Sequence, residues 1–154
     1  MKVWQALLDN RILLAAVIGW IVAQVAKTII HIITSKSFTP ERLVGGGGMP
    51  SSHSATVCAL SAATFIKCGF ASTEFALAFI FSFIVMYDAM GVRRETGNQA
   101  KVINELRDLF LEMKSFADIP PEERLKELIG HTPLQVLVGA VLGVGIGIAV
   151  MYAI

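Results

Sequence analysis

Charge is scarce in this sequence. Only 16% of its 154 residues are Asp, Glu, Lys or Arg, against about a quarter in an ordinary soluble domain, which argues against a chain surrounded by water. The 13 basic and 12 acidic residues nearly cancel to +1. That excludes a polyanion-binding surface, because nonspecific nucleic-acid binding rests on many phosphates neutralised by Lys and Arg, so nucleic acid is not an expected partner. Cysteine is limited to Cys58 and Cys68 in one apolar segment. Their spacing suits neither a disulfide framework nor a zinc site, and no metal or cofactor is expected. Histidine is nearly as scarce: His31, His53 and His131.

What is abundant is apolar, at 55% of the residues, and it comes in blocks. Residues 12–34, 54–70, 72–92 and 132–154 are nearly free of charge, with charges crowded between them, the layout of a polytopic membrane protein. The first block follows Lys2 and Arg11 but has no small-residue cleavage site after it, so it reads as a retained anchor. The expectation is an all-α membrane bundle over residues 1–154, a single domain with about four transmembrane helices.

Between the blocks, Gly45 to Gly48 form a glycine-rich loop with little to pack. Ser51 or Ser52 can cap the second span. From Asn98 to Phe116, Val102, Ile103, Leu106, Phe110 and Met113 recur at helical spacing opposite Lys101, Glu105, Asp108 and Glu112, which predicts an amphipathic helix, interfacial or lid-like. A further short helix is expected from Pro120-Pro121 to Gly130. Gly139, Gly143 and Gly147 read as a helix-packing stripe. Gln24, Lys27 and His31 share one face of span one, which should turn to the bundle, although Lys27 can instead snorkel to the interface.

Four spans put the 35–53 and 91–131 loops on one membrane face. That face carries nine Lys and Arg against three on the other, or six against three with Arg42, Arg93 and Arg94 set aside for chemistry. The positive-inside bias predicts a bacterial cytoplasmic membrane protein with these loops in the cytoplasm. His53 and His131 each stand at the start of a helix opening on this face, where free amides and the macrodipole favour an anion. The three arginines can pair with its remaining oxygens. Asp88, near the end of a span, is either part of this site or the salt-bridge partner of a neighbouring arginine.

The stretch Pro50-Ser51-Ser52-His53 is similar to the Pro-Ser-Gly-His motif of the type 2 phosphatidic acid phosphatase superfamily, which includes bacterial acid phosphatases and vanadium haloperoxidases. Gly130-His131-Thr132-Pro133-Leu134-Gln135-Val136, with Gly139 and Gly143, resembles its final motif. Tyr87-Asp88-Ala89-Met90-Gly91-Val92-Arg93-Arg94 with Gly97, Gln99 and Ala100 resembles the signature of its divergent small-membrane-protein branch.

The resemblance implies a metal-independent phosphatase for a lipid-linked phosphate monoester or pyrophosphate. His131 would attack phosphorus and form a phosphohistidine, and His53 would protonate the leaving group. Arg42 and one of Arg93 or Arg94 would clamp the phosphoryl oxygens, Ser51 and Ser52 would complete the cradle, and Lys27, or else Lys36, would supply the lysine of the first motif. Membrane lipid is the expected partner, and a thin four-span bundle suits a homodimer.

Three departures accompany the resemblance. Arg94 and His131 stand 37 residues apart where the family keeps arginine and histidine close. Gln135 replaces the usual acid four residues after the histidine. The first motif is rearranged around Pro40 and Arg42. An alternative from another class is therefore a membrane protein that binds an anionic headgroup without turning it over.

Overall fold

Polar residues lie inside and large apolar ones outside. Gln24, Lys27, Ser51, Ser54, Ser61, Thr64, Ser82 and His131 are buried, while Val17, Ile21, Val25, Phe79, Phe83, Leu137 and Val141 are exposed. In water that arrangement would be unstable; with hydrocarbon as the solvent, exposed Leu and Phe are at no disadvantage and polar groups must find one another. The structure is a computed structural model that describes residues 3–36, 48–112, 125 and 130–153.

Those residues form six helices and, among them, no strand: α1 (Val3–Leu8), α2 (Arg11–Ser35), α3 (Ser52–Cys68), α4 (Thr73–Met90), α5 (Val92–Glu112) and α6 (Pro133–Ala153). Three are long and apolar enough to cross a membrane: α2, α4 running on into α5, and α6. The protein is an all-helical integral membrane bundle. The short α1 was not legible in the apolar pattern. The Ser51 and Ser72 side chains cap α3 and α4 by accepting the amides of Ser54 and Phe75, as Ser at an N-cap should.

Helix α3 is the short fourth member, 17 residues long and so about 25 Å. It is enclosed by α2, α4 and α6. Its inward residues are nearly all Ala, Ser and Thr, which lets neighbouring backbones approach closely. Gly139, Gly143 and Gly147 of α6 lie on Ser51, Ala55 and Ala59 of α3 in the same order, so the two helices run parallel in register. A Cβ at Gly143 would overlap the Ala55 carbonyl. Gly19 of α2 reaches the same Ala55 and Ala59, where an added Cβ would sit 3.0 Å from each.

Helix α4 is antiparallel to α3, tied by Ser82, whose hydroxyl lies 2.7 Å from that of Ser61 and donates to the carbonyls of Val57 and Ala78. One end of the bundle therefore gathers the N-termini of α3 and α6 with the C-terminus of α4.

The amphipathic segment begins earlier than its hydrophobic spacing indicates. Helix α5 starts at Val92 rather than Asn98, because α4 continues almost directly into it past Gly91, whose carbonyl accepts the Glu95 amide. Arg93 and Arg94 are thus in a helical first turn. The apolar row of α5 is exposed at Val102, Ile103, Leu106, Leu109 and Phe110. Its expected end at Phe116 lies outside the described residues. Of the short helix expected up to Gly130, only Leu125 is described within its span. Leu125 lies in no helix, and its main chain is held by the Asn104 carboxamide, which donates to the Leu125 carbonyl at 3.0 Å and accepts its amide at 3.1 Å.

Candidate active site

His131 stands just before a helix cap. Thr132 and Gln135 at the start of α6 exchange hydrogen bonds: the Thr132 amide donates to Gln135 Oε1 at 3.1 Å, and the Gln135 amide donates to Thr132 Oγ1 at 3.4 Å. That is a capping box with Pro133 as the first helical residue. The same Gln135 Oε1 lies 3.2 Å from His131 Nδ1. An oxygen already accepting an amide N–H can only accept again, so Nδ1 carries the proton and Nε2 holds the lone pair. Nε2 is buried and makes no hydrogen bond of ordinary geometry among the described residues, with the Gly48 backbone as its polar neighbour.

His53, on the first turn of α3, packs its ring edge-on to His131, with centroids 5.8 Å apart at 68°. Its Nδ1 is likewise buried and without a partner among the described residues. The main chain fixes the pair from two sides, since the His131 amide donates to the Ala89 carbonyl at 3.0 Å and the Ser51 amide donates to the Gln135 carbonyl at 3.1 Å. Burial holds His131 below the ordinary imidazole value of 6.5, assisted by the neighbouring His53 and Lys27 and opposed by Gln135 and the Gly48 backbone. Burial thus favours its neutral form.

Charges surround this pair. Lys27 is only 3% exposed, and its field reaches both histidines. Its position eight residues short of the end of α2 turns it into the bundle rather than to the interface. Lys36, in contrast, is exposed at the C-cap of α2. Arg93 donates from Nε to Asp88 Oδ2 at 2.7 Å, and both charges act on His53. Of the two readings of Asp88, the structure shows the salt bridge to a neighbouring arginine. Arg94 contributes its backbone, which lies against Gly130. Ser51 and Ser52 are buried at the head of α3, where the Ser51 hydroxyl is taken up by Ser54 and the Ser52 carbonyl by Thr56. Arg42 lies outside the described residues. His31 stands apart from the pair, its Nδ1 3.0 Å from the Ser35 hydroxyl.

Sequence reasoning missed Gly48, which has φ +81 and sits against the Lys27 side chain, and it missed Ala89 as an acceptor. It also missed the capping box, although Thr-x-x-Gln ahead of an apolar run was a usable signal.

The sequence profile described as the Divergent PAP2 family matches residues 8–146, including every residue of this constellation. The chain belongs to the Divergent PAP2 family. Consistent with that membership, it is 40% identical over 153 residues to a Bacillus subtilis (strain 168) protein described as "Uncharacterized membrane protein YuiD", covering 95% of this chain and 97% of that one. No solved structure matches. The family model thus spans the three short motifs together with the bundle that presents them.

Proposed function

We propose that this divergent PAP2 protein hydrolyses a lipid-linked phosphate monoester or pyrophosphate without a metal, through a phosphohistidine. The observation that carries the reading is the ring-to-ring pairing of His131 with His53, with His131 Nδ1 held by Gln135 and Nε2 turned into the buried pocket. Nε2 attacks phosphorus, the bond to the leaving oxygen breaks, and His53 gives that oxygen its proton. Water then attacks the phosphohistidine while His53 takes back a proton, which releases phosphate and restores Nε2. The loose transition state of phosphoryl transfer spreads charge over the equatorial oxygens. Lys27, Arg93, the head of α3 and, from the sequence motif, Arg42 and Arg94 offer cations and amides for them. Phosphate at the head of the bundle, with tails alongside it, suits a lipid substrate, and the basic loops favour a cytoplasmic site in a bacterial membrane.

One observation favours a second reading. Gln135 orients His131 but carries no charge to stabilise an imidazolium, and loss of the acid in a serine-protease triad lowers the rate on the order of 10⁴-fold. A headgroup-binding protein that kept the pocket and lost turnover would look the same. The deciding experiment is phosphate release from a panel of lipid phosphates in detergent with EDTA, using the native chain, His131→Ala and His53→Ala. EDTA-resistant release that disappears in both variants supports the hydrolase. No release from a folded protein that still binds vanadate supports the binder.

A further inference from the structure

Among the described residues α5 touches no helix of the bundle except α4, which it continues. One face of it is nevertheless buried. Gly97, Ala100 and Asn104, at i, i+3 and i+7, lie opposite the exposed row of Val102, Leu106 and Leu109. Asn104 is the polar member of that face and is 2% exposed. Its carboxamide donates to the Leu125 carbonyl at 3.0 Å and accepts the Leu125 amide at 3.1 Å, the two bonds that a neighbouring β-strand would offer. A carboxamide presents a donor and an acceptor side by side, whereas a carboxylate only accepts. Leu125 itself is 47% exposed, so these bonds hold it rather than packing of its side chain.

Three contacts attach the approach to His131 in reverse order along α5 and α4: Leu125 to Asn104, Gly130 to Arg94, and His131 to Ala89. The anchors therefore run antiparallel to the two helices, toward the histidine pair. Their spacings match. Leu125 and Gly130 are five residues apart (130 − 125), a reach of at most about 18 Å. Their partners are ten residues apart on one helix (104 − 94), about 15 Å. With so little slack between the anchors, a shift of Leu125 along α5 is passed to Gly130, the residue before His131. The bond from the His131 amide to Ala89 fixes one point of this stretch, and the anchor at Leu125 fixes its direction.

We propose that Asn104 is a positioning residue for His131: by pinning the Leu125 main chain to α5, it sets the register in which the His131 segment meets the site. This rests on the reading of His131 as the nucleophile. Asn104 touches no reacting atom and acts through Leu125 and Gly130.

The test compares Asn104→Ala and Asn104→Gln with Ser72→Ala in the full-length protein in detergent. Ser72 caps α4 at the opposite end of the bundle, so its loss lowers stability without touching this stretch. Beside melting curves, the readouts are kcat and KM on phosphatidate and the NMR signal of the isotope-labelled His131 ring through a pH titration. Asn104→Ala should lower kcat at least about tenfold with KM within about twofold, inside the roughly hundredfold that a misplacement of about 1 Å can cost. It should also displace the His131 signal, with the pKa rising toward 6.5 as burial loosens. Asn104→Gln, which keeps donor and acceptor one methylene further out, should recover part of both effects. Ser72→Ala should leave both readouts native whatever melting temperature it loses. An Asn104→Ala protein that melts lower but keeps native kcat and a native His131 signal overturns the proposal, as does a Ser72→Ala protein that shifts them equally. If Asn104→Ala does not fold, Asn104→Asp, which retains the acceptor alone, is read by the same rule. The NMR signal needs no turnover, so the two readings fail separately. A displaced His131 signal in a protein whose native chain hydrolyses nothing keeps the anchor and loses the hydrolase, and hydrolysis at the native rate by Asn104→Ala does the reverse.

Discussion

Gly130 rests on the backbone of Arg94: a Cβ at Gly130 would fall 2.5 Å from both the N and Cα of Arg94. Arg94 and His131, 37 positions apart in sequence, are therefore neighbours in the fold. The wide arginine-to-histidine spacing, the largest departure from the family's motif, is closed by the fold.

This contact makes Gly130 intolerant of any side chain. It has φ +112, which costs an L-residue about 1–2 kcal/mol, and the overlap with Arg94 adds to that. Gly130→Ala should lower the melting temperature in detergent and reduce phosphate release. Gly69→Ala is the control, because Gly69 also has positive φ but faces open space. It should show the backbone cost alone, and equal effects of the two would show that the Arg94 contact contributes nothing.

Gln135 has two separable duties. Gln135→Ala should cost about 1 kcal/mol through the lost cap and also slow phosphoryl transfer by releasing the His131 tautomer. Gln135→Glu keeps the acceptor and adds a charge that raises the His131 pKa. The acid limb of its pH–rate profile should move to higher pH, and an unmoved limb would show that His131 is not the group titrating there.

The sign of the native pH dependence follows from burial. His131 is held below 6.5, so it stays neutral and nucleophilic as pH falls past that value, and activity declines only at its lower folded pKa. The unfolded chain takes its proton near 6.5, so His131 subtracts stability progressively as pH drops from 6.5 toward the folded value. Histidine NMR titration with His131→Ala for assignment reads this directly, and a native value at or above 6.5 would contradict it.

Two glycines of α6 should behave oppositely. Gly143→Ala meets the Ala55 backbone and should loosen α3 from α6, with a marked loss of thermal stability. Gly145 has nothing within 4 Å of an added Cβ, so Gly145→Ala should be neutral or stabilising by up to about 1 kcal/mol, the helix-propensity difference. Detergent melting curves of the pair measure the packing term free of helix propensity.

The Arg93–Asp88 pair is partly exposed, at 52% and 41%. Asp88→Asn should therefore change stability by no more than about 1 kcal/mol. Arg93→Ala should leave melting almost unchanged while lowering kcat/KM for lipid phosphate. A loss of stability without a kinetic effect would assign the arginine to anchoring.

The elements written in apolar blocks and capping residues were legible: α2, α3, α4 and α6 fall within a few residues of their sequence limits, and the glycine stripe packs as its spacing implies. The histidine pair was legible because each residue announces a helix start. Other features depend on docking. Lys27 had two exits, bundle or interface, and only the depth of α2 against Gly48 selects the first. The start of α5 was hidden because Arg93, Arg94 and Glu95 carry no apolar period, so continuity with α4 decides it. Ala89 has no side-chain chemistry to advertise, and its role is purely a carbonyl in the right place.

The segment bearing His131 is fastened to three helices at once: to α4 through Ala89, to α5 through Arg94, and to α3 through the Ser51 amide on Gln135. None of these attachments is local in sequence, so the two rings meet only once α6 has docked. A chain stalled during membrane insertion with α6 outside would keep His53 at the head of α3 without the His131 ring beside it. The pairing of His53 with His131 therefore waits on the docking of the last helix, so the pocket that joins them is a product of the whole assembly.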